Sequence, residues 1–247
     1  MNHLVKILFF ASYSITAWGQ LPAEEPVDYL YKKNWYLGPQ LSTNGFGAGF
    51  SFERNVNYKF KQGLHISIVS LKGGKETRRT NSAYEDSRSY VFGKINLLFA
   101  GRLAYGGSWL LYERRRIRGV AIRYNINIGP SVGMLKPIYL KIKEPYTQIP
   151  EVEAKDLRYD PTIHHNENIY GRSGVWKGFN QSTFVLGGFA KSGFQFDFSA
   201  NSNKITAVEV GLQLDYFSKN IELFYLGSNK KIFPSLYASV QFGKNKI

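Results

Sequence analysis

The chain has 247 residues, 43% hydrophobic and 16% aromatic, with 32 lysines and arginines against 18 aspartates and glutamates, a formal charge of +14. A mean hydropathy of −0.28 and no apolar run of about 18 residues exclude a bundle of membrane-spanning helices, and the aromatic content excludes a disordered chain. The lack of any cysteine excludes disulfide frameworks, thiolate metal sites, cysteine nucleophiles and a lipid-bearing N-terminal cysteine.

Met1 to Lys6 is short and carries one lysine, Ile7 to Trp18 is apolar apart from small hydroxyl residues, and Ala17 and Gly19 stand at −3 and −1 of a cut before Gln20. This is the form of a secretory signal peptide over 1–19. Residues 20–34 follow as an expected periplasmic segment.

From there the sequence alternates with a period of two. Val120, Ile122, Tyr124, Ile126, Ile128, Pro130, Val132 and Met134 face one way, and Ala121, Arg123, Asn125, Asn127, Gly129, Ser131 and Gly133 the other. Period two means strand, and a run this long suits a tilted strand that crosses a bilayer. The same alternation marks eight strands, at 35–43, 46–54, 63–71, 95–112, 119–135, 180–200, 204–218 and 232–243. The first two join through Asn44-Gly45, a hairpin signal. Connections 55–62, 113–118 and 201–203 are short, and 72–94, 136–179 and 219–231 are longer. Apart from the first hairpin, short and long segregate to opposite ends. Short periplasmic turns and long external loops are the habit of outer-membrane barrels. The expected fold is all-β: an antiparallel transmembrane β-barrel over 35–243, with 136–179 as a long external loop and 244–247 as a tail. A soluble sandwich would need a second sheet over every apolar face, which strands of this length make awkward. Within 136–179, Glu151 to Leu157 could form two helical turns at most.

The apolar faces must meet lipid, because a polar group in hydrocarbon is costly. The opposite faces then line the lumen, with Glu53, His65, Arg102, Arg123, Lys191, Asp197, Glu209 and Asp215 as their ionisable members. Three cations, four anions and one histidine in a narrow interior predict a paired charge network, since side chains roughly fill a barrel of eight strands. Trp35, Tyr36, Trp109, Tyr112, Tyr216 and Trp176 are expected as interfacial aromatics.

Surplus positive charge falls between the strands: Lys72, Lys75, Arg78, Arg79 and Arg88 on one side, and Arg114, Arg115, Arg116 and Arg118 on the other. Such rims suit anionic head groups and phosphorylated lipopolysaccharide; in an exported barrel they do not point to nucleic acid. His164 and His165 lie near Asp156, Asp160 and Glu167 but meet no ligand spacing, so neither metal nor cofactor is expected. His65 and Ser67 share the lumenal face and are the weak catalytic pair, because serine and histidine together serve acyl transfer. At about 3.3 Å per residue they stand about 6.6 Å apart, too far for a direct hydrogen bond.

Leu41-Ser42-Thr43-Asn44-Gly45, Gly129-Pro130-Ser131-Val132-Gly133-Met134-Leu135-Lys136-Pro137, Asn168-Ile169-Tyr170-Gly171-Arg172 and Val240-Gln241-Phe242-Gly243-Lys244 resemble phrases of the small eight-stranded outer-membrane β-barrel proteins of Gram-negative bacteria. The resemblance implies architecture and location and carries no activity with it. The terminal assembly signal of such barrels ends in an aromatic residue; Phe242 would play that part, with Gly243 to Ile247 running past it. The functional expectation is a non-enzymatic structural or interaction barrel in the outer membrane. It would contact lipid and lipopolysaccharide and, through 136–179, other outer-membrane proteins, as an accessory subunit of an assembly or transport complex. A narrow porin-like channel for small solutes and a lipid- or lipopolysaccharide-modifying enzyme are the alternatives.

Overall fold

The structure, a computed structural model, describes residues 33–246 apart from 75, 82–86, 114–118, 144–153, 166–167, 200–202 and 228. The signal peptide and its cut lie outside these residues, as do Lys75, Arg114, Arg115, Arg116, Arg118 and Glu167.

Eight long strands form: β1 (Lys33–Ser42), β2 (Gly45–Asn55), β3 (Phe60–Leu71), β4 (Asn96–Tyr112), β5 (Ala121–Pro137), β6 (Thr183–Asp197), β7 (Lys204–Ile221) and β8 (Lys230–Lys246). All neighbours are antiparallel, and β1 pairs with both β2 and β8, so the sheet closes in the order β1-β8-β7-β6-β5-β4-β3-β2. Closure satisfies every strand edge internally, the condition for a sheet in hydrocarbon. Each strand departs from the sequence reading by one to three residues at one end or both, and two of these differences change the local picture. β8 continues to Lys246, so residues past Phe242 extend the strand instead of forming a tail. The first turn is Thr43-Asn44, and Gly45 opens β2 opposite Ser42. Gly45 serves close approach there, because a Cβ would run into the Ser70 carbonyl of β3.

The alternation places one set of side chains outside. Leu37, Phe50, Ile68, Leu103, Ile128, Leu186, Leu212 and Leu236, one from each strand, are all exposed on the outer wall. A continuous apolar belt of this size is untenable in water and is a lipid-facing surface.

The described residues of the connections 72–95 and 138–182 build a lobe at one end. Tyr139–Ile142 lies between Ile169–Arg172 and Lys155–Arg158 in a three-stranded sheet, and Arg78–Arg79 pairs with Tyr90–Val91. Lys155–Arg158 is therefore extended where the sequence allowed a helical turn; residues 151–153 lie outside the described residues. The lobe has its own core of Tyr90, Leu140, Ile142, Tyr159 and Ile169. Asn81 Nδ2 donates to the Ile169 carbonyl at 2.9 Å, and the Gly93 N–H to the Tyr159 hydroxyl at 3.1 Å. The β7–β8 connection joins in, its Leu223 carbonyl accepting the Ile95 N–H at 2.9 Å.

Candidate functional site

The inward faces fill the lumen in layers. At the lobe end Val69, Leu71, Leu98, Ala100, Val185, Phe217, Ile221, Leu223 and Phe233 form a buried apolar plug. The Phe217 ring lies against Gly133, where a Cβ would come within 2.7 Å of it, and packs edge-on to Phe233 with centroids 5.8 Å apart. These residues keep the period-two alternation but are apolar on both faces, because Leu223 and Phe224 of the β7–β8 connection pack against them and help to exclude water.

Below the plug lies Arg102. Its Nε and Nη2 donate to the two Asp215 carboxylate oxygens at 2.8 and 2.7 Å, and its Nη1 donates to Gln213 at 3.3 Å. Both charged side chains are fully buried, and the guanidinium sits 4.3 Å over the Phe189 ring. Gln213 also accepts from Gln40 at 2.6 Å. Next comes Lys191, whose Nζ is 3.2 Å from Glu209. The Tyr237 hydroxyl and Gln241 donate to the same carboxylate, and Gln195 donates to Gln241 at 2.6 Å. Nearest the chain termini, the Tyr36 hydroxyl donates to Glu53 at 2.7 Å, with Arg123 and Asp197 partly buried on the same side. All eight predicted ionisable residues face inward, and Arg102 pairs with Asp215 and Lys191 with Glu209. Tyr36 departs from expectation: it points into the lumen and not to the interface, since Trp35 takes the outward place beside it. The glutamines and Tyr237 carry no formal charge at neutral pH, so a count of charges does not single them out; any polar residue at inward parity belongs with them.

The weak catalytic pair makes no direct hydrogen bond, in keeping with its spacing along one strand. His65 Nδ1 is 2.8 Å from Ser51 Oγ, not from Ser67. Ser51 stands directly opposite His65 across the β2–β3 ladder, whereas Ser67 is two residues along the same strand. His65 Nε2 and Ser67 Oγ have no hydrogen-bond partner among the described residues. The adjoining cavity, lined by Tyr36, Gln40, Ser51, His65, Lys191 and Gln241 among others, measures about 10 Å³, room for about one water. The barrel wall separates it from the lipid side, where an acyl chain would be.

Outside, Phe60, Trp109, Tyr124 and Phe194 form an aromatic band across β3 to β6, with successive centroids 5.0, 6.5 and 5.2 Å apart. Trp176 lies in the lobe, 84% exposed, beside Phe179 at 5.7 Å. Under that segment Lys136 donates to the Val175 carbonyl at 2.6 Å. Of the rim cations, Arg78 and Arg79 are exposed, Lys72 is half-buried, and Arg79 lies over Phe92. His164 does not join a metal cluster. Its Nδ1 accepts the Asp160 N–H at 3.1 Å, and burial pushes its pKa below the ordinary histidine value against the pull of Asp160. Hydrogen bonds from Thr162 hold the Asp160 carboxyl below its usual range. Among the described residues no three histidine, aspartate or glutamate side chains gather as metal ligands.

No protein-family model and no curated protein matches the chain. Among solved structures, the attachment invasion locus protein Ail of Yersinia pestis is similar. In complex with the heparin analogue sucrose octasulfate it is 10% identical, with a TM-score of 0.40 over 87% of this chain and 99% of that one. Without that analogue the TM-score is 0.39 at the same identity and coverage. Neisserial surface protein A is 8% identical, with a TM-score of 0.36 over 87% of this chain and 96% of its own.

Proposed function

We propose that this chain is an integral outer-membrane barrel whose lumen is sealed and whose work is done by the lobe, as a non-enzymatic structural or interaction protein and an accessory subunit of a larger outer-membrane assembly. The observation that carries the reading is the division of labour in the fold. The lumen is occupied by two buried ion pairs and an apolar plug, while the 72–95 and 138–182 connections have a core of their own. Side chains that fill an interior leave it little else to do than hold the barrel rigid. A rigid barrel beneath a folded lobe favours presentation of a surface over transport. The filled lumen gives the channel reading nothing to conduct through, and the enclosed His65–Ser51 contact gives the lipid-enzyme reading no route for substrate.

In this reading residues 1–19 direct export and are removed before Gln20, the short turns face the periplasm and the lobe faces outward. Lys72, Arg78 and Arg79, with Lys75 beside them in sequence, meet lipopolysaccharide phosphates; Arg114, Arg115 and Arg116 meet head groups on the periplasmic side. The test is extraction of the native membrane fraction in mild detergent and mass determination of the intact particle. A particle heavier than one mature chain is expected, with other proteins in it; a particle holding this chain alone would overturn the accessory role.

A further inference from the structure

We propose that the outer wall of the barrel carries, at its periplasmic end, a binding site for the phosphodiester head group of an anionic phospholipid, formed by Lys33, Arg54, Lys204, Lys244 and Lys246. The inference rests on the transmembrane reading above and on its orientation.

The residues come together through register. On β1 the outward positions are odd, Trp35, Leu37 and Leu41; on β2, β7 and β8 they are even, through Phe52, Leu212 and Phe242. Lys33, Arg54, Lys204, Lys244 and Lys246 all fall at outward parity, and all are exposed. Lys33 is directly opposite Arg54 on one side and Lys246 on the other, Lys204 is opposite Lys244, and Lys244 is opposite Trp35. Five cations thus form one patch across the contiguous strands β2, β1, β8 and β7. None of them is in an ion pair with a described residue.

Like charges directly opposite one another across a ladder are destabilising. The pairs Lys33–Arg54, Lys33–Lys246 and Lys204–Lys244 are three such contacts side by side, an arrangement that calls for an anion the described residues do not supply. Its chemistry follows from position. The patch begins at the level of Trp35 and Phe52 and continues just past the apolar belt, on the wall and not at the mouth. What touches the wall there is the head-group layer of the bilayer, where phosphate lies within reach of long cationic side chains that keep their stems against apolar surface. The β3–β6 side carries the aromatic band at the same end instead, so the barrel meets that leaflet with an aromatic flank and a cationic flank.

The test uses the purified full-length mature barrel in nanodiscs of phosphatidylcholine, alone or with phosphatidylglycerol, and reads the unfolding temperature from the heat-modified gel shift and the co-purified lipid by mass spectrometry. Phosphatidylglycerol should raise the unfolding temperature, and added salt should erase the rise; inorganic phosphate in phosphatidylcholine discs should not reproduce it. Each cation near an anionic surface is worth about fivefold in partitioning, so the variant K33Q/R54Q/K204Q/K244Q/K246Q should lose the lipid preference. In phosphatidylcholine it should be as stable as the parent or more so, because the like-charge contacts are gone. The pair K33Q/K246Q, which removes the central contact, should lose part of the preference and guards against a folding defect in the larger variant. A parent barrel that inserts but unfolds at the same temperature in both discs overturns the site. So does a five-fold variant that keeps the response, or a parent that responds only once Glu24, Glu25 and Asp28 are changed to glutamine. A barrel that inserts into neither disc refutes the transmembrane reading instead.

Discussion

Asp215→Asn removes one charge from the most enclosed ion pair of the lumen. In the parent, Arg102 meets both oxygens of Asp215 at 2.8 and 2.7 Å, and both side chains are fully buried. After the change Arg102 keeps Gln213 at 3.3 Å and the face of Phe189, and its positive charge has no anion. Breaking a buried pair at one end costs about 3–5 kcal/mol, or more than about a hundredfold in the unfolding equilibrium. Replacing both partners by apolar side chains of similar volume, as in R102M/D215L, should recover most of that loss, because the desolvation cost of both ions disappears. Reversible urea unfolding in phosphatidylcholine vesicles, followed by tryptophan fluorescence, gives both numbers. A loss under about 1 kcal/mol for D215N, or a double variant weaker than D215N, would refute the reasoning that this pair is buried and mutually dependent.

Three further outcomes follow from the same structure. Phe217→Ala empties the centre of the apolar plug and should cost about 3–5 kcal/mol in the same unfolding assay; a loss under about 1 kcal/mol would mean that the plug is not packed. Leu212→Arg, at an exposed outward position between Ser192 and Leu236, should cost about 2–4 kcal/mol in a bilayer, and an unchanged unfolding midpoint would place that face away from hydrocarbon. His164 has a folded pKa below its unfolded value, so its contribution is present above the ordinary histidine range near 6.5 and is lost as pH falls below it. Acid should therefore loosen the lobe locally, seen as lower amide protection around Asp160 relative to the intrinsic exchange rate at each pH, while the strands stay protected; protection there that is flat with pH, or unchanged by His164→Gln, would contradict this.

Much of the architecture was legible because a strand with one face in lipid must alternate. From Ala121 to Met134 and from Thr206 to Tyr216 the alternation predicts the outward side chains, although the strands themselves run Ala121–Pro137 and Lys204–Ile221. Register was not legible, and the functional contacts depend on it. Ser67 suggested itself to His65 because residues two apart share a face, yet the partner is Ser51, directly across the ladder, where Cβ atoms are about 4.5–5.5 Å apart. The turn that sets this register has a local cause: Asn57 Oδ1 accepts the Lys59 and Phe60 N–H groups at 3.1 and 2.7 Å. An asparagine turning the chain there was the available signal. The apolar plug was hidden because Leu98, Phe217 and Phe233 look like ordinary core residues until Leu223 and Phe224 are placed against them. The lobe itself was illegible, since its strands are four residues or shorter, too short for periodicity to declare.

The proposal that the lumen is sealed is tested most directly by conductance of the purified barrel in a planar bilayer, with insertion verified by its heat-modified gel shift. An ion would have to pass the plug, the Arg102–Asp215 pair and the Lys191–Glu209 pair in turn. The expected trace is indistinguishable from the lipid alone at neutral pH. Stepwise currents that scale with the amount of inserted protein, and that change with Asp215→Asn, would contradict it.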